Sequence, residues 1–201
     1  VPREMHQQTI INDAERALTL HTAHHYYFRH VEMEMFISKS RVAEAAEAIR
    51  FVTSIFAGMD DGVNDKVSAA LKGAGLYDEV MRDRGKYTHH YPFFFRHILP
   101  DDALISMTEG DESRYSVSFF TYLATNKREG FWEYTRVMAL ILTRLYGARL
   151  HWGKYFPLKH DEIAHLYPNL PEFRRVCKQI DPNGVFVNAF GREVMGFELG
   201  M

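Results

Sequence analysis

The sequence predicts an α+β fold, with a largely antiparallel sheet flanked by helices and a C-terminal helical return segment. Segments that alternate with a period of two are mixed with helical runs, and no regular strand–helix–strand repeat connects them. A hydrophobic content of 46% and an aromatic content of 14% are typical of a folded protein. The 201 residues are enough for one substantial core, so a single domain over 1–201 is predicted.

The first part of the chain predicts a helix, a strand and a second helix. Residues 1–30 place apolar side chains at helical spacing. Residues 31–37 alternate with a period of two, which predicts a strand with Glu32 and Glu34 on its more hydrated face. The run that follows is rich in strong helix formers and predicts a helix.

Serine and glycine mark the next boundaries. Ser38 or Ser40 is placed to cap the second helix, because a serine hydroxyl accepts a hydrogen bond from a free amide of the first turn. The glycine-rich stretch 58–85 predicts a turn, a short helix near 65–72 and further loop or helix.

The middle of the chain predicts three strands and a long helix. Residues 91–97 and 103–107 are predicted strands joined by an Asp-Asp turn, and 115–123 is a third strand. Residues 130–146 predict a helix, and Gly147 stands where a glycine ends a helix.

The C-terminal part predicts a short strand and then helices. Residues 148–152 return as the strand. Two short helices follow at 159–167 and 171–180, the second with a proline in its first turn. The composition of 181–184 is typical of a turn.

Charge and composition argue against several classes of function. A net charge of −2 gives no basis for a nucleic-acid partner. No run approaches the roughly 18 apolar residues that span a bilayer, so a soluble chain is expected, with no compartment assigned. His21, His24 and His25 share a helical face, but no metal-binding motif accompanies them, so no metal is expected. The single cysteine, Cys177, is expected to be a packed thiol.

Several segments in a fixed order carry a resemblance to a known family. They are HWGK at 151–154, Tyr167-Pro168, DPNGVFVN at 181–188, and the stretches 31–50, 91–107 and 115–122. Their order and spacing resemble the C-terminal part of the aldonolactone oxidase group of FAD-linked oxidases. That group includes gulonolactone, arabinonolactone and alditol oxidases and is of the vanillyl-alcohol oxidase type. The resemblance covers 31–56 and 91–190, while residues 58–90 have no counterpart in it.

The resemblance implies the substrate (cap) domain of such a flavoenzyme, with residues 151–201 returning toward a separate FAD-binding domain. It implies an oxidoreductase that oxidises an alcohol or lactone CH–OH group with hydride transfer to flavin. No glycine-rich phosphate-binding loop precedes a helix in this sequence, which begins at Val1. We therefore expect FAD to be bound mainly by a missing N-terminal domain or a partner chain, with this chain as its substrate-binding part.

The resemblance also assigns site residues by position. Lys154 matches the family's active-site lysine beside the flavin ring, where a cation stabilises the negative charge of the reduced flavin. Arg96 matches the arginine of a Glu-x-Arg strand whose side chains face substrate and flavin. His151 and Asn188 are expected near the cofactor, where Asn188 secures the returning chain, and Ser106 is expected to contact the substrate.

The chain departs from the family at Phe94, which stands where the family has the glutamate of that strand. A carboxylate there accepts a hydrogen bond from a substrate hydroxyl, and phenylalanine cannot. Three alternatives follow: a more hydrophobic substrate, a base supplied by another residue such as His89 or His90, or loss of activity. Loss of activity would leave a non-catalytic relict with the same fold, used for assembly or binding.

Overall fold

The structure is a computed structural model of the chain and describes residues 29–59, 64–123 and 128–197. The chain divides into a unit of residues 1–30 and a unit of residues 31–201, and the core described below belongs to the second. The helix predicted at the N-terminus and its histidine cluster lie outside the described residues. The single domain predicted over 1–201 stays a prediction.

Four strands form one antiparallel sheet, which confirms the predicted α+β class. They are β1 (His30–Ser38), β2 (Phe94–Ile98), β3 (Arg114–Tyr122) and β4 (Arg149–Leu150). Their order across the sheet is β2-β3-β1-β4. The strand connections are therefore not a regular βαβ series, as the mixed periodicities predicted.

One face of this sheet, the core face, is apolar. It carries a set of fully buried side chains from three strands: Met33, Met35, Ile37, Val117, Phe119 and Leu150. The register supports this arrangement, because residues directly opposite each other in an antiparallel pair share a face, and Met35 lies opposite Leu150.

The helices follow a simple order along the chain. They are α1 (Val42–Phe56), α2 (Asp65–Gly73), α3 (Tyr77–Arg82), α4 (Phe131–Tyr146), α5 (His160–Ile163) continued by a 3₁₀ turn (Ala164–Leu166), α6 (Leu170–Ile180) and α7 (Ala189–Glu193). Residues 58–90 contribute α2 and α3.

Helices α1 and α4 cover the core face. The rings of Phe56 and Tyr134 meet edge to face at 5.3 Å, and Thr53 Oγ1 lies 2.9 Å from Tyr134 Oη. Gly130, which precedes α4, has φ 78°. A Cβ there would lie 2.2 Å from the Lys86 carbonyl oxygen, so this close approach requires glycine. Gly147 ends α4 with φ 62°, as predicted.

Two local predictions about strands and caps are wrong. Neither Ser38 nor Ser40 caps α1: its N-cap is Arg41, which makes no side-chain capping bond, while both the amide and the hydroxyl of Ser40 donate to Glu112. Residues 103–107 form a turn rather than a strand, because Asp101 accepts hydrogen bonds from Ala103 N and Ser106 Oγ and folds the chain back on itself.

The C-terminal part follows the predictions with two differences. The strand predicted at 148–152 is reduced to the two residues of β4. Helix α7 was not predicted; Asn188 starts it, accepting a hydrogen bond from Gly191 N at 2.9 Å. Cys177 is a partly buried free thiol in α6, and burial raises its pKa.

Candidate active site

The second face of the sheet, the polar face, carries charged and hydroxyl side chains at its centre. Arg96 lies opposite Ser116 in the β2–β3 register, so these two share a face. Arg96 Nη1 lies 3.7 Å from Glu34 Oε1, which places the glutamate of β1 on the same face. The alternation of a strand adds Glu32 and Ser118.

These polar groups are buried, contrary to the prediction of a hydrated face for β1. Glu32 is 8% exposed and Glu34 5%, while Ser116 and Ser118 are 0% and 1% exposed. Neither serine hydroxyl has a hydrogen-bond partner in the described part of the chain. An unsatisfied buried hydroxyl costs roughly 1–3 kcal/mol. The two serine hydroxyls of the polar face therefore lower the stability of the fold.

Lys154 reaches the polar face from the turn after β4. His151 N donates to Glu34 O and Tyr155 N donates to Glu32 O, both at 2.9 Å, so the backbone of β1 holds the two ends of this turn. Lys154 Nζ donates to the Glu32 carboxylate. The lysine side chain is 35% exposed and that of Glu32 only 6%, so the ammonium stays accessible while its counter-ion is buried.

Arg96 occupies the outer strand of the described sheet. Its side chain is 61% exposed, whereas that of Glu34 is 6% exposed. A separation of 3.7 Å is too long for a hydrogen bond, and an exposed ion pair contributes about 0–1 kcal/mol. The N–H groups of the guanidinium are therefore available to donate to other groups.

Aromatic side chains border the polar face on the β2 side. Phe94 lies opposite Ser118 and is 48% exposed. Its ring lies 6.2 Å from that of Phe120, and Tyr91 lies 6.0 Å from Phe120. Phe94 and Phe120 are thus part of an apolar wall.

A second arginine on the polar face has a structural role. Arg149 lies opposite Phe36 and is 6% exposed. Its guanidinium donates to Leu166 O at 2.9 Å, to Ser106 O at 3.1 Å and to the Glu109 carboxylate at 3.0 Å. The bonds to Ser106 and Glu109 fasten the loop between β2 and β3 to the sheet.

Ser106 lies in that loop and is bonded within it. Its hydroxyl donates to the Asp101 carboxylate at 2.6 Å, and the hydrogen bonds from Ser106 and Thr108 lower the pKa of Asp101. The substrate contact expected of Ser106 stays a prediction.

The His-Trp pair of the HWGK motif organises its own turn. His151 Nδ1 accepts a hydrogen bond from Gly153 N at 2.9 Å, and its ring lies 6.1 Å from that of Phe36. Trp152 Nε1 donates to Ile105 O at 2.7 Å, and the Trp152 ring stacks on Phe156 at 5.3 Å. These contacts orient the turn that carries Lys154.

The DPNGVFVN run forms a compact turn with an apolar tip. The Asp181 carboxylate accepts hydrogen bonds from Val185 N at 2.9 Å and Phe186 N at 2.8 Å. Phe186 is 86% exposed. Asn188, the last residue of this run, accepts the helix-capping hydrogen bond from Gly191 N. The cofactor role expected of Asn188 stays a prediction.

The structure brings together Lys154 and Arg96 on one face, and it adds residues that the sequence did not single out. Glu32, Glu34, Ser116 and Ser118 complete the polar face. The available signal was the spacing of the two glutamates within an otherwise apolar strand, and of the two serines within β3. An ionised side chain in a buried strand indicates a paired or functional group.

The described residues show no group of three or more His, Cys, Asp or Glu side chains arranged to hold a metal ion. Over the same residues, no helix has both the length and the apolar character that crossing a membrane requires.

Comparison with known proteins identifies relatives of this chain. Residues 6–194 match the family described as D-arabinono-1,4-lactone oxidase. A long-chain alcohol oxidase from an uncultured marine euryarchaeote is 36% identical over 175 residues, which are 87% of this chain and 36% of that protein. An L-gulonolactone oxidase from Scyliorhinus torazame is 30% identical over 105 residues, 50% of this chain and 22% of that protein. An alditol oxidase from a Streptomyces species is 38% identical over 47 residues, 23% of this chain and 11% of that protein.

The matches differ in how much of each protein they include. The chain spans 36% of the length of the long-chain alcohol oxidase and 22% of that of the L-gulonolactone oxidase. The family match, in contrast, extends over nearly all of this chain, from residue 6 to residue 194. The resemblance carried by the HWGK and DPNGVFVN motifs is thereby confirmed, and the chain belongs to the D-arabinono-1,4-lactone oxidase family.

Proposed function

We propose that this chain is the substrate-binding part of a FAD-dependent oxidoreductase that oxidises the CH–OH group of an alcohol with hydride transfer to flavin. The observation that carries the proposal is a pair of cations on the polar face, each beside a buried glutamate: Lys154 is paired with Glu32, and Arg96 Nη1 lies 3.7 Å from Glu34 Oε1. Family membership supports the reaction class. The names of the three relatives describe oxidases of long-chain alcohols, gulonolactone and alditols.

The side chains of the polar face fit a flavin ring beside Lys154. A bound flavin supplies a hydride acceptor that becomes negatively charged on reduction. The Lys154 ammonium has three donors, of which the Glu32 carboxylate takes one. Its remaining donors are available to stabilise negative charge, and the buried Glu32 fixes the direction in which they point.

Arg96 is assigned to the oxygen of the substrate. Its guanidinium carries five N–H donors and is 61% exposed on the edge of the polar face. As an alcohol is oxidised to a carbonyl, its oxygen loses a proton and gains negative charge. A cationic donor at that oxygen stabilises the charge more strongly in the transition state than in the bound alcohol.

The rest of the cofactor is assigned to protein outside these residues. We propose that a separate FAD-binding domain or partner chain holds the phosphates, since this sequence has no glycine-rich phosphate-binding loop. The span of 36% of the long-chain alcohol oxidase supports such a division. His151 and Asn188 are proposed to face that cofactor, with His151 Nε2 and the Asn188 amide N–H groups as donors.

The proposed substrate is an alcohol with an extended apolar part. Phe94 and Phe120 form an apolar wall beside Arg96, which favours a hydrocarbon chain over a polyol. The relative that is 36% identical to this chain is named as a long-chain alcohol oxidase. Ser106 remains a proposed minor contact at the substrate side.

The test is made on the complete protein as it is expressed in its source, with every chain that copurifies. Flavin absorption bands are expected, together with oxidation of long-chain primary alcohols. Lys154→Met should lower kcat/KM about 100- to 1000-fold, since it removes a preorganised charge, and Arg96→Met should also lower it. Lys39→Met is the matched control, because Lys39 is exposed at the far end of β1.

The proposal is contradicted if the complete protein has no flavin and oxidises no alcohol, or if Lys154→Met matches Lys39→Met. The first result would favour the second candidate function, a non-catalytic subunit with the same fold. The observation in its favour is Phe94, which stands where the family has a carboxylate. Such a subunit would copurify with partner chains while showing no turnover.

A further inference from the structure

Glu34 is a buried carboxylate with unused hydrogen-bonding capacity. Its side chain is 6% exposed, and Arg96 approaches it only to 3.7 Å. Within residues 29–59, 64–123 and 128–197, no donor forms a hydrogen bond with the Glu34 carboxylate, although its backbone oxygen accepts from His151 N. A buried carboxylate without hydrogen bonds is costly, so a bound group that donates one would be strongly favoured.

Ser118 is the neighbour of Glu34 on the polar face. Strands β1 and β3 each have nine residues and are adjacent in the sheet. Lys39 N donates to Ser113 O at 3.0 Å just beyond their ends. Counting back along both antiparallel strands from this bond sets Ser118 opposite Glu34. The buried Ser118 hydroxyl has no partner of its own in the described chain.

The same row continues to Phe94, which lies opposite Ser118 in the β2–β3 register. Phe94, Ser118 and Glu34 therefore follow one another across three adjacent strands. With about 4.8 Å between strands, Glu34 lies roughly 10 Å from the position of the family glutamate. A carboxylate is thus present in the same row, displaced by two strands.

We infer that Glu34, with the Ser118 hydroxyl beside it, accepts the hydrogen bond of the substrate hydroxyl in place of the carboxylate that Phe94 does not provide. The inference rests on the proposed oxidation of an alcohol at the polar face. In this arrangement the hydroxyl lies between Glu34 and Arg96, and the hydrocarbon chain extends toward the Phe94 wall. Glu34 is then a substrate-binding residue.

The other candidates for this role are less suitable. Glu32 already forms the ion pair with Lys154. His89 stacks on Phe93 at 4.4 Å, on the core-face side of β2, and burial lowers its pKa to about 4. His90 packs against Tyr87 and Tyr122 instead.

The experiment compares two probes that cannot be oxidised. Dimethyl octyl carbinol is a tertiary alcohol that donates a hydrogen bond but has no carbinol hydrogen, and its methyl ether has the same chain without the donor. Binding of each to the complete flavin-containing protein is measured by isothermal titration calorimetry. The wild type is expected to prefer the alcohol, and Glu34→Met should reduce this preference about 10- to 100-fold, as expected for a charge-assisted hydrogen bond.

Further variants make the test independent of one substitution. Glu34→Gln keeps a weaker acceptor and should give an intermediate preference, and Ser118→Ala should reduce it about 3- to 10-fold. Ser118→Ala should raise thermal stability slightly, because it removes a buried hydroxyl that has no hydrogen-bond partner. Glu47→Gln, on the exposed surface of α1, is the control and should match the wild type.

The inference is overturned if Glu34→Met and Ser118→Ala both keep the wild-type preference. If Glu34→Met does not fold, Glu34→Gln and Ser118→Ala decide by the same criterion. The proposed function has its own readout, the flavin spectrum and turnover of a primary alcohol by the wild type. Failure there is visible without any variant and is therefore distinct from failure of the Glu34 assignment.

Discussion

The core face and the polar face belong to the same four strands but differ in the side chains that they bury. On the core face, Met33, Met35 and Phe119 are fully buried among apolar side chains. On the polar face, Ser116 and Ser118 are equally buried but have no hydrogen-bond partner in the described residues. Burial alone therefore does not separate structural residues from candidate functional ones, and each buried hydroxyl without a partner calls for an explanation of its own.

The polar face also shows that charge does not identify function by itself. Arg149 and Arg96 lie on this face, in neighbouring parts of the sheet. Arg149 forms hydrogen bonds with each arm of its guanidinium, whereas Arg96 has one distant counter-ion. On this difference, Arg149 has a structural role, and substrate binding is the role we propose for Arg96.

The largest expected effect comes from breaking the core face. Phe119→Ala removes a fully buried ring that contacts Tyr134 at 6.2 Å, and it should lower the free energy of unfolding by about 3–5 kcal/mol. Urea unfolding followed by circular dichroism measures the change. Phe94→Ala is the control on the polar face and should cost much less, because its ring is 48% exposed. Equal losses would contradict the division into two faces.

A smaller effect is expected from breaking the structural arginine. Arg149→Met removes the donor to Glu109 Oε2 and to three carbonyl oxygens. The loss should be about 2–3 kcal/mol, below that of a fully buried pair, since the Glu109 side chain is 18% exposed. The paired variant Arg96→Met should change the unfolding free energy by less than about 1 kcal/mol. The same urea titration tests both, and a larger loss for Arg96→Met would reverse our assignment.

The smallest expected effect is a dependence of stability on pH, which arises from His89 on the core-face side of β2. Burial lowers the pKa of His89 from 6.5 to about 4, so the unfolded chain binds a proton at a higher pH than the folded one. The resulting stability is present above pH 6.5 and is lost progressively as the pH falls toward 4. Between pH 7 and 4.5, His89→Phe should retain roughly 2 kcal/mol more of its stability than the wild type. His97→Phe, at an exposed position of β2, should follow the wild-type curve.

The sequence predicted the elements whose signals are local. The alternation in 31–37 located β1, and Gly147 located the end of α4, because the left-handed conformation there favours glycine. The strand predicted at 103–107 was wrong because the Asp101 side chain forms a turn with Ser106 and Thr108. Alternation of side chains alone does not reveal that competition.

The candidate site was only partly predictable for a related reason. Lys154 and Arg96 were identified through their motifs, but the charge partners of both are distant in sequence; Glu32 and Lys154 are 122 positions apart. The hydrated face predicted for β1 followed from treating its glutamates singly. Their burial depends on cations and strands that only the tertiary structure brings to them.

Backbone hydrogen bonds hold the turn that carries Lys154 against β1, and they do not depend on the side chains of β1. His151 N and Tyr155 N bond to carbonyl oxygens of residues 34 and 32, and any amino acid offers such an oxygen. The path of the turn is therefore independent of which side chains stand at those two positions. Mutation at positions 32 and 34 can change the charge and hydrogen bonding that a substrate meets while the scaffold keeps its shape, which is a physical route by which one family fold acquires new substrates.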